Sequence, residues 1–497
     1  MSKLIFALFI IPPALFAQEH SHQPAERLGT VHFQTSCSPQ AAPQFNRAVA
    51  LLHSFEFGAS IKGFNQAIAA DSTCAMAYWG IALSQWGNPM SVANRPNALL
   101  SAGAKAIDAA RRIASHSTER EKAYINAAAK LFEGSDHVAQ DVRVRAYERA
   151  MSNVVESNPA DTEAKIFYAL SIVAAAPSND KSYASQKKAA SILEPLWKQQ
   201  PDHPGLAHYI IHTFDYPSLA KRGSDAAREY AVIAPSTAHA MHMPSHIFTR
   251  TGMWKESIDT NLKSMRLAEE SGSIAEALHA ADYAEYAYLQ LGRDAEAKRI
   301  VDKLPQLAAR FDVNAVTGAA PGSAGVFALA AIPARYALER NAWSEAADLT
   351  PAPSSFRWTD ALTWFARALG ASHLRDTARA RTAVDSLEAI RNQLAGTGEP
   401  YWTEQVAIQS LGARAWLDLA RGKKDSAESL MREAVRRENA TEKSAVTPGP
   451  LAPARELLAD MLMAMGRKQE AIVEYRKTLE VEPSRRRSLE GARLAQH

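Results

Sequence analysis

An all-α chain of stacked helical hairpins is the fold this sequence predicts, and three observations predict it. The chain is rich in alanine and lacks the period-two alternation of half-buried strands. Proline and glycine fall at the spacing of helix–turn–helix units; Pro201 and Pro235, for example, are 34 residues apart. Near the C-terminus one unit is written out in full: Gly466-Arg467-Lys468-Gln469-Glu470-Ala471, then Tyr475, Thr478 and Pro483. Small residues at Gly466 and Ala471 are expected to let the two helices of that hairpin approach closely. Pro483 should end the second helix, because it has no N–H and clashes with the preceding turn.

Stacked units lengthen a protein without enlarging a single core, so 497 residues need not form two or three separate domains. The formal net charge is only +3, with no basic block before Arg485-Arg486-Arg487. No electrostatic footprint for nucleic acid is present, and the arginine run reads as a solvated helix end. Residues 1–17 read as a secretory signal: Lys3, an apolar stretch from Leu4 to Phe16, and Ala17 before Gln18-Glu19-His20. The stretch is short for a bilayer, so the expectation is an exported chain, periplasmic or secreted, with no membrane span. Residues 18–40 form an extended lead. Cys37 and Cys74, the two cysteines, are expected to form a disulfide in an oxidising compartment.

The first hairpin array spans 41–305. Ser60, Phe64 and Ala67 carry a second-helix pattern, and Ala77-Tyr78-Trp79-Gly80 opens the next unit. Pro159, Pro201 and Pro235 close helices. Inter-helix turns are expected at Gly252, Gly292, Asn341 and Gly422. Residues 306–330 read as an irregular segment around Pro321, and a second array follows over 331–497. A further insertion runs from Thr441 to Pro453 and contains Thr447-Pro448-Gly449-Pro450. Such loops often hold functional residues.

Specific motifs add to this pattern: Cys37-Ser38-Pro39, Ala50-Leu51-Leu52-His53-Ser54-Phe55, Cys74-Ala75-Met76-Ala77-Tyr78-Trp79-Gly80, His242-Met243-Pro244-Ser245-His246-Ile247 and Thr447-Pro448-Gly449-Pro450. On these the chain, from about Leu28 onward, resembles a family of exported bacterial tetratricopeptide proteins of no established activity. The resemblance implies a tetratricopeptide-type α-solenoid and export, but no reaction. Tetratricopeptide arrays in general bind peptides or partner proteins along a concave face.

The residues with the most chemistry are histidines. His208 and His212 are four apart, as are His242 and His246, and the two pairs are offset by 34 residues. A spacing of four puts both imidazoles of a pair on one helix face. Between Gly205–Tyr216 and His239–Arg250 little else is retained beyond Phe214 and Phe248. Four imidazoles at one phase of adjacent repeats should therefore converge on the concave surface, where they could hold one ion. His239, His279, Asp215 and Asp282 are auxiliary candidates, with Glu285 beside them; a carboxylate would serve as ligand or would orient an imidazole N–H. Pro244 leaves open whether a helix begins there, which would put His239 and His242 on its approach.

Imidazole suits several transition metals; Met241, Met243 and Met253 nearby favour copper, with zinc the other candidate. The pair His208/His212 lacks the glutamate of a zincin helix, and no haem, phosphate-loop or nucleophile-elbow motif is present. His53, Tyr78, Trp79 and Trp86 read as core packing and His32 as incidental; His20, third from a free amino end after cleavage at Ala17, could chelate Cu(II), but a disordered tail is the reading preferred. Two functions stay open: a metal protein, or a scaffold whose groove takes a peptide or envelope protein with the histidines as polar contacts. No sequence feature assigns a reaction or an oligomeric state.

Overall fold

The computed structural model describes residues 26–91, 94–177, 180–352 and 354–496. The expected signal segment and His20 lie outside them. The described residues form helices and no strand, and each helix packs chiefly on its chain neighbours. The molecule is an all-α solenoid of stacked hairpins of the tetratricopeptide type. No helix among the described residues is long and apolar enough to cross a membrane.

The expected turns are present: the backbone is left-handed at Gly252, Gly292, Asn341 and Gly422. Gly466 differs from expectation in its role. It sits at φ +80° with open space where a Cβ would stand, so it permits a left-handed helix end and not a close approach. Close approach occurs at Gly80, where a Cβ would fall 2.1 Å from the Phe64 ring. The irregular segment is also shorter than 306–330. One helix runs Asp294–Ala308 and the next, Gly322–Glu339, starts directly after Pro321. The alanine-rich run there has enough helix propensity to outweigh Gly322 and Gly325.

The lead is irregular in backbone yet packed. Leu28, Val31 and Phe33 are buried, and the Phe33 ring meets Phe45, Trp79 and Tyr124. Thr30 N–H donates to the Asp202 carbonyl at 2.9 Å, so the lead straps two distant hairpins together. Cys37 is bonded to Cys74. The C-terminal arginines depart most from the sequence reading. Arg485 is fully buried, forking onto Glu456 at 2.8 and 2.9 Å and reaching Glu339 and the Tyr286 hydroxyl. Arg487 reaches Asp460 at 2.6 Å. Carboxylates from several helices converge there, and desolvating them without a cation would be costly.

Both irregular segments fold inward. In residues 309–321, Thr317 carbonyl accepts from Gly58 N–H at 2.7 Å and Ala320 N–H donates to Glu276 at 2.7 Å. In the 441–453 loop, Lys443 pairs with Asp215 at 3.1 Å, and the Tyr283 hydroxyl lies 3.2 and 3.1 Å from the Ala445 and Thr447 carbonyls. The two segments cover one region of the inner surface.

The disulfide closes a separation of 37 residues. In the chain-entropy account a loop of this size stabilises by about 4 kcal/mol. A Cys37→Ser/Cys74→Ser double variant should therefore lose about that much in urea unfolding. Reductant should destabilise the parent and leave the variant unchanged.

Candidate metal centre

Two of the helices that carry the histidines, Pro204–Phe214 and Ile274–Gln290, are buried along their whole length. His208 and His212 lie on the first, which begins at Pro204. The second segment is broken: a short helix, Ala238–His242, carries His239 and His242, and Pro244–Thr251 carries His246. Pro244 occupies the first turn of the new helix, where its missing N–H costs nothing. His279 comes from Ile274–Gln290.

Six imidazoles meet, but not as the single four-histidine set that the 34-residue offset suggests. His208, His212 and His239 form one triad and His242, His246 and His279 another, each with ligand atoms within 4.8 Å of one another. The partition falls within the short helix Ala238–His242, whose His239 and His242, three residues apart, face different neighbours. His239 lies back against Pro204–Phe214, while His242 and His246 turn toward Ile274–Gln290. The triads adjoin, with ring centroids 5.8 Å apart for His212–His246 and 6.0 Å for His239–His242. All six side chains are at most 5% exposed, so the expected open groove is a closed chamber. The chamber is small, about 20 Å³, and is bounded by His212, His239, His246, His279, Met90, Ala320 and Val446 among others.

The hydrogen bonds fix the tautomers. His208 Nδ1 lies 2.6 Å from the His53 carbonyl, which can only accept, so Nδ1 carries the proton. His239 Nδ1 donates to Glu276 at 3.0 Å. Asn261 Nδ2 donates to the Ser257 carbonyl, which turns its Oδ1 toward His242 Nδ1 at 2.7 Å. His246 Nδ1 donates to Asp215 at 2.9 Å. In neutral imidazoles the Nε2 atoms then carry lone pairs. Those lone pairs face each other: His208 Nε2 is 3.1 Å from His239 Nε2, and His242 Nε2 is 3.0 Å from His246 Nε2. His212 Nε2 and His279 Nδ1, the third member of each triad in turn, have no hydrogen-bond partner.

Burial disfavours the charged form of five of the rings. His208, His212 and His242 are driven well below the usual imidazole range by desolvation and then by neighbouring imidazoles. His279 is pushed down to about 3 by burial, against the pull of Glu276. Burial also opposes the charge on Asp215, but Lys443 and Arg250 outweigh it and hold the carboxyl well below its usual range. Asp215 therefore orients His246 and is shared with two cations.

Asp282 is not part of the cluster. It and Glu285 pair with the buried Arg335 of the Gly322–Glu339 helix. Three residues after His279, its side chain lies on the flank of the helix, whereas Tyr283, at four, faces His242, His246 and His279 with ring centroids 4.8–5.2 Å away. Met243 and Met253 pack in the apolar core, so the methionine beside the chamber is Met90.

Several contributors were not foreseen from sequence. Glu276 and Asn261 supply acceptors, and Lys443 and Arg250 anchor Asp215. Arg250 follows His246 by four, a spacing that could have drawn attention to it. Phe55 packs 4.4 Å from His208 with its backbone at φ +55°, a conformation that costs a bulky residue about 1–3 kcal/mol and clusters at functional sites. A third group, His53, Glu163 and His203, has different chemistry. One carboxylate takes an N–H from each ring at 3.0 Å, and His53 Nδ1 meets the Tyr209 hydroxyl at 2.9 Å. Its ring-to-carboxylate contacts are already satisfied, and it positions the carbonyl that holds His208.

No protein-family profile matches the chain, and no curated protein matches it in sequence. Solved structures similar to it include yeast Tom70, at 13% identity over 92% of this chain and 95% of that one, with a TM-score of 0.39. Others are a human IFIT1 dimer with m7Gppp-AAAA (11% identity, 90% and 94% covered, TM-score 0.42) and the APC/C hetero-tetramer Cut9–Hcn1 (11%, 92% and 76%, TM-score 0.38). These figures carry nothing over to the site.

Burial raises the Glu163 carboxyl, but His203 and then His53 outweigh it, so its folded-state pKa is depressed. A depressed carboxyl stabilises the fold above its unfolded pKa and loses that contribution as pH falls. Glu163→Gln should therefore cost about 3 kcal/mol at pH 7. The gap between parent and variant in urea melts should narrow as pH is lowered below about 4.5.

Proposed function

We propose that this chain is an exported metal protein that holds two transition-metal ions, one in each histidine triad. The observation that carries the reading is the pair of facing Nε2 lone pairs in a buried chamber. Two Nε2 atoms 3.0–3.1 Å apart, each on a ring whose Nδ1 already donates, need a cation between or beside them, and a metal ion or a single shared proton meets that need. Acceptors fixed behind His208, His239, His242 and His246 are the usual support of a metal-bound imidazole. His212 and His279 complete three ligands per ion, a number that leaves an open coordination position. Copper and zinc both suit such donors.

Export rests on the apolar Leu4–Phe16 stretch of the sequence, and a disulfide is compatible with an oxidising compartment such as the periplasm. A bacterial origin is proposed with it, on the family resemblance. The scaffold reading keeps one observation in its favour. A cavity of about 270 Å³ lies on the outer side of the 441–453 loop, lined by Tyr183, Arg250, Tyr401, Lys443 and Glu482 among others, and could take a peptide segment.

The test is elemental analysis of untagged protein, loaded with copper or zinc and dialysed. Two ions per chain are expected. His208→Ala and His242→Ala should each lose one ion and keep the other, because they belong to different triads. Asn261→Leu should weaken one site about 10–100-fold without removing a ligand. Metal at a hundred times its dissociation constant should stabilise the fold by about 2.7 kcal/mol per site. Negligible metal in parent and variants alike, with no thermal shift, would leave the scaffold.

A further inference from the structure

We infer that the ions are copper and that the pair binds dioxygen between the two triads. The inference rests on the metal pair proposed above and adds to it the identity of the metal and of the ligand. Three features of the chamber lead there.

The first is charge. Each triad is made of imidazoles alone, and no carboxylate belongs to either. Asp215, the nearest carboxylate to the second triad, is already shared with Arg250 and Lys443. Lys443 also acts electrostatically on His212, His246 and His279. Two bare divalent ions would bring four positive charges into this buried space, where the two carboxylates Asp215 and Glu276 already offset the two cations Arg250 and Lys443. Two Cu(I) ions bring half as many, and three imidazoles make a sufficient shell for each.

The second is size and lining. Imidazoles of both triads bound a chamber of about 20 Å³, room for one molecule the size of water. Its remaining walls are mostly apolar, Met90, Ala320, Pro321, Ala324, Ala445 and Val446, with Asn88 and Ser91 as the polar exceptions. A small apolar diatomic suits that lining. The third is a route. A second cavity of about 120 Å³ shares Asn88, Ser91, Ala320 and Pro321 with the chamber, and Phe57, Trp86, Val316 and Phe356 help to line it. It gives an uncharged molecule an apolar approach.

The binding step balances without a further reactant. Each Cu(I) gives one electron, O2 gains two and becomes a bridging peroxide dianion, and the metals become two Cu(II). No proton is taken up, and the total charge in the chamber is unchanged. Copper is among the cofactors suited to O2 chemistry, with the protein supplying position and electrostatics.

The test uses the full chain, stripped by chelator, loaded anaerobically with Cu(I) and mixed with air-saturated buffer in an oxygen electrode. Uptake of about one O2 for every two copper ions is expected, together with a new near-ultraviolet absorption. The oxidised protein should show little paramagnetic resonance signal, because the two Cu(II) spins couple through the bridge. His279→Ala and the milder His279→Gln should keep the copper of the first triad. Both should lose at least tenfold in O2 uptake, and when loaded with Cu(II) in place of Cu(I) they should show the full signal of one isolated Cu(II). Two bound coppers with no O2 uptake, or with a signal from two uncoupled Cu(II), would overturn the oxygen inference and leave the metal pair. So would uptake unchanged in both variants. Retention of two zinc ions with no retention of Cu(I) would overturn copper alone. A chain that binds neither metal would end the metal reading itself.

Discussion

The closed chamber depends on one constraint: imidazole lone pairs are held face to face where water does not reach them. A ring free to turn would swing one nitrogen away and relieve the repulsion. Here the His53 carbonyl, Glu276, Asn261 and Asp215 each grip an Nδ1–H, so four rings keep their orientation. Each grip needs its own support. Glu276 is tied to the 309–321 segment through Ala320, Asn261 to Ser257, and Asp215 to Arg250 and Lys443. The histidines of two wholly buried helices, with Glu276, make sense as parts of this arrangement. Without it they would be uncompensated desolvation.

The fold supplies what an open groove would not. A concave solenoid face exposes its first helices to water. In this chain the insertions 309–321 and 441–453 fold onto that face, and Tyr283 binds the second of them directly beneath the histidines. The same lid lowers the effective dielectric around the rings; its Ala445 and Val446 line the chamber, and its Thr441, Lys443 and Thr447 line the other cavity. Stability and the site's electrostatics therefore share the same residues.

Much of this was legible in the sequence. Helical hairpins, most turn positions and the disulfide follow from local rules of proline, glycine and cysteine placement. The convergence of His208, His212, His239, His242, His246 and His279 follows from helical periodicity and the repeat offset. Their division into triads does not, because it depends on which neighbouring helix His239 and His242 each meet, and spacing along the chain does not give that. Asp282 was misassigned for a related reason: periodicity gives a face but not its neighbour, and the neighbour here is Arg335. Glu276, Asn261 and Lys443 come from segments distant along the chain, where no spacing rule links them to the histidines. The arginines at 485 and 487 look solvated in one dimension because the carboxylates that bury them are contributed by other hairpins.

Those arginines, with the N-terminal strap, alter what kind of repeat protein this is. An open array is held by contacts between adjacent units, so it can fray from an end while the rest stays folded. Here Arg485 reaches Tyr286 and Glu339, Asn94 reaches Gly398 and Glu399, and Lys181 reaches Glu442. Such contacts join units hundreds of residues apart and make a coil locked onto itself. Loss of the last turn then opens the middle, and the units melt as a single body instead of one after another. Folding is correspondingly slow to nucleate, since distant segments must meet before any of these contacts can form. The chamber's lid, residues 441–453, follows every histidine it covers by more than a hundred residues, so the site closes only after that stretch has folded back.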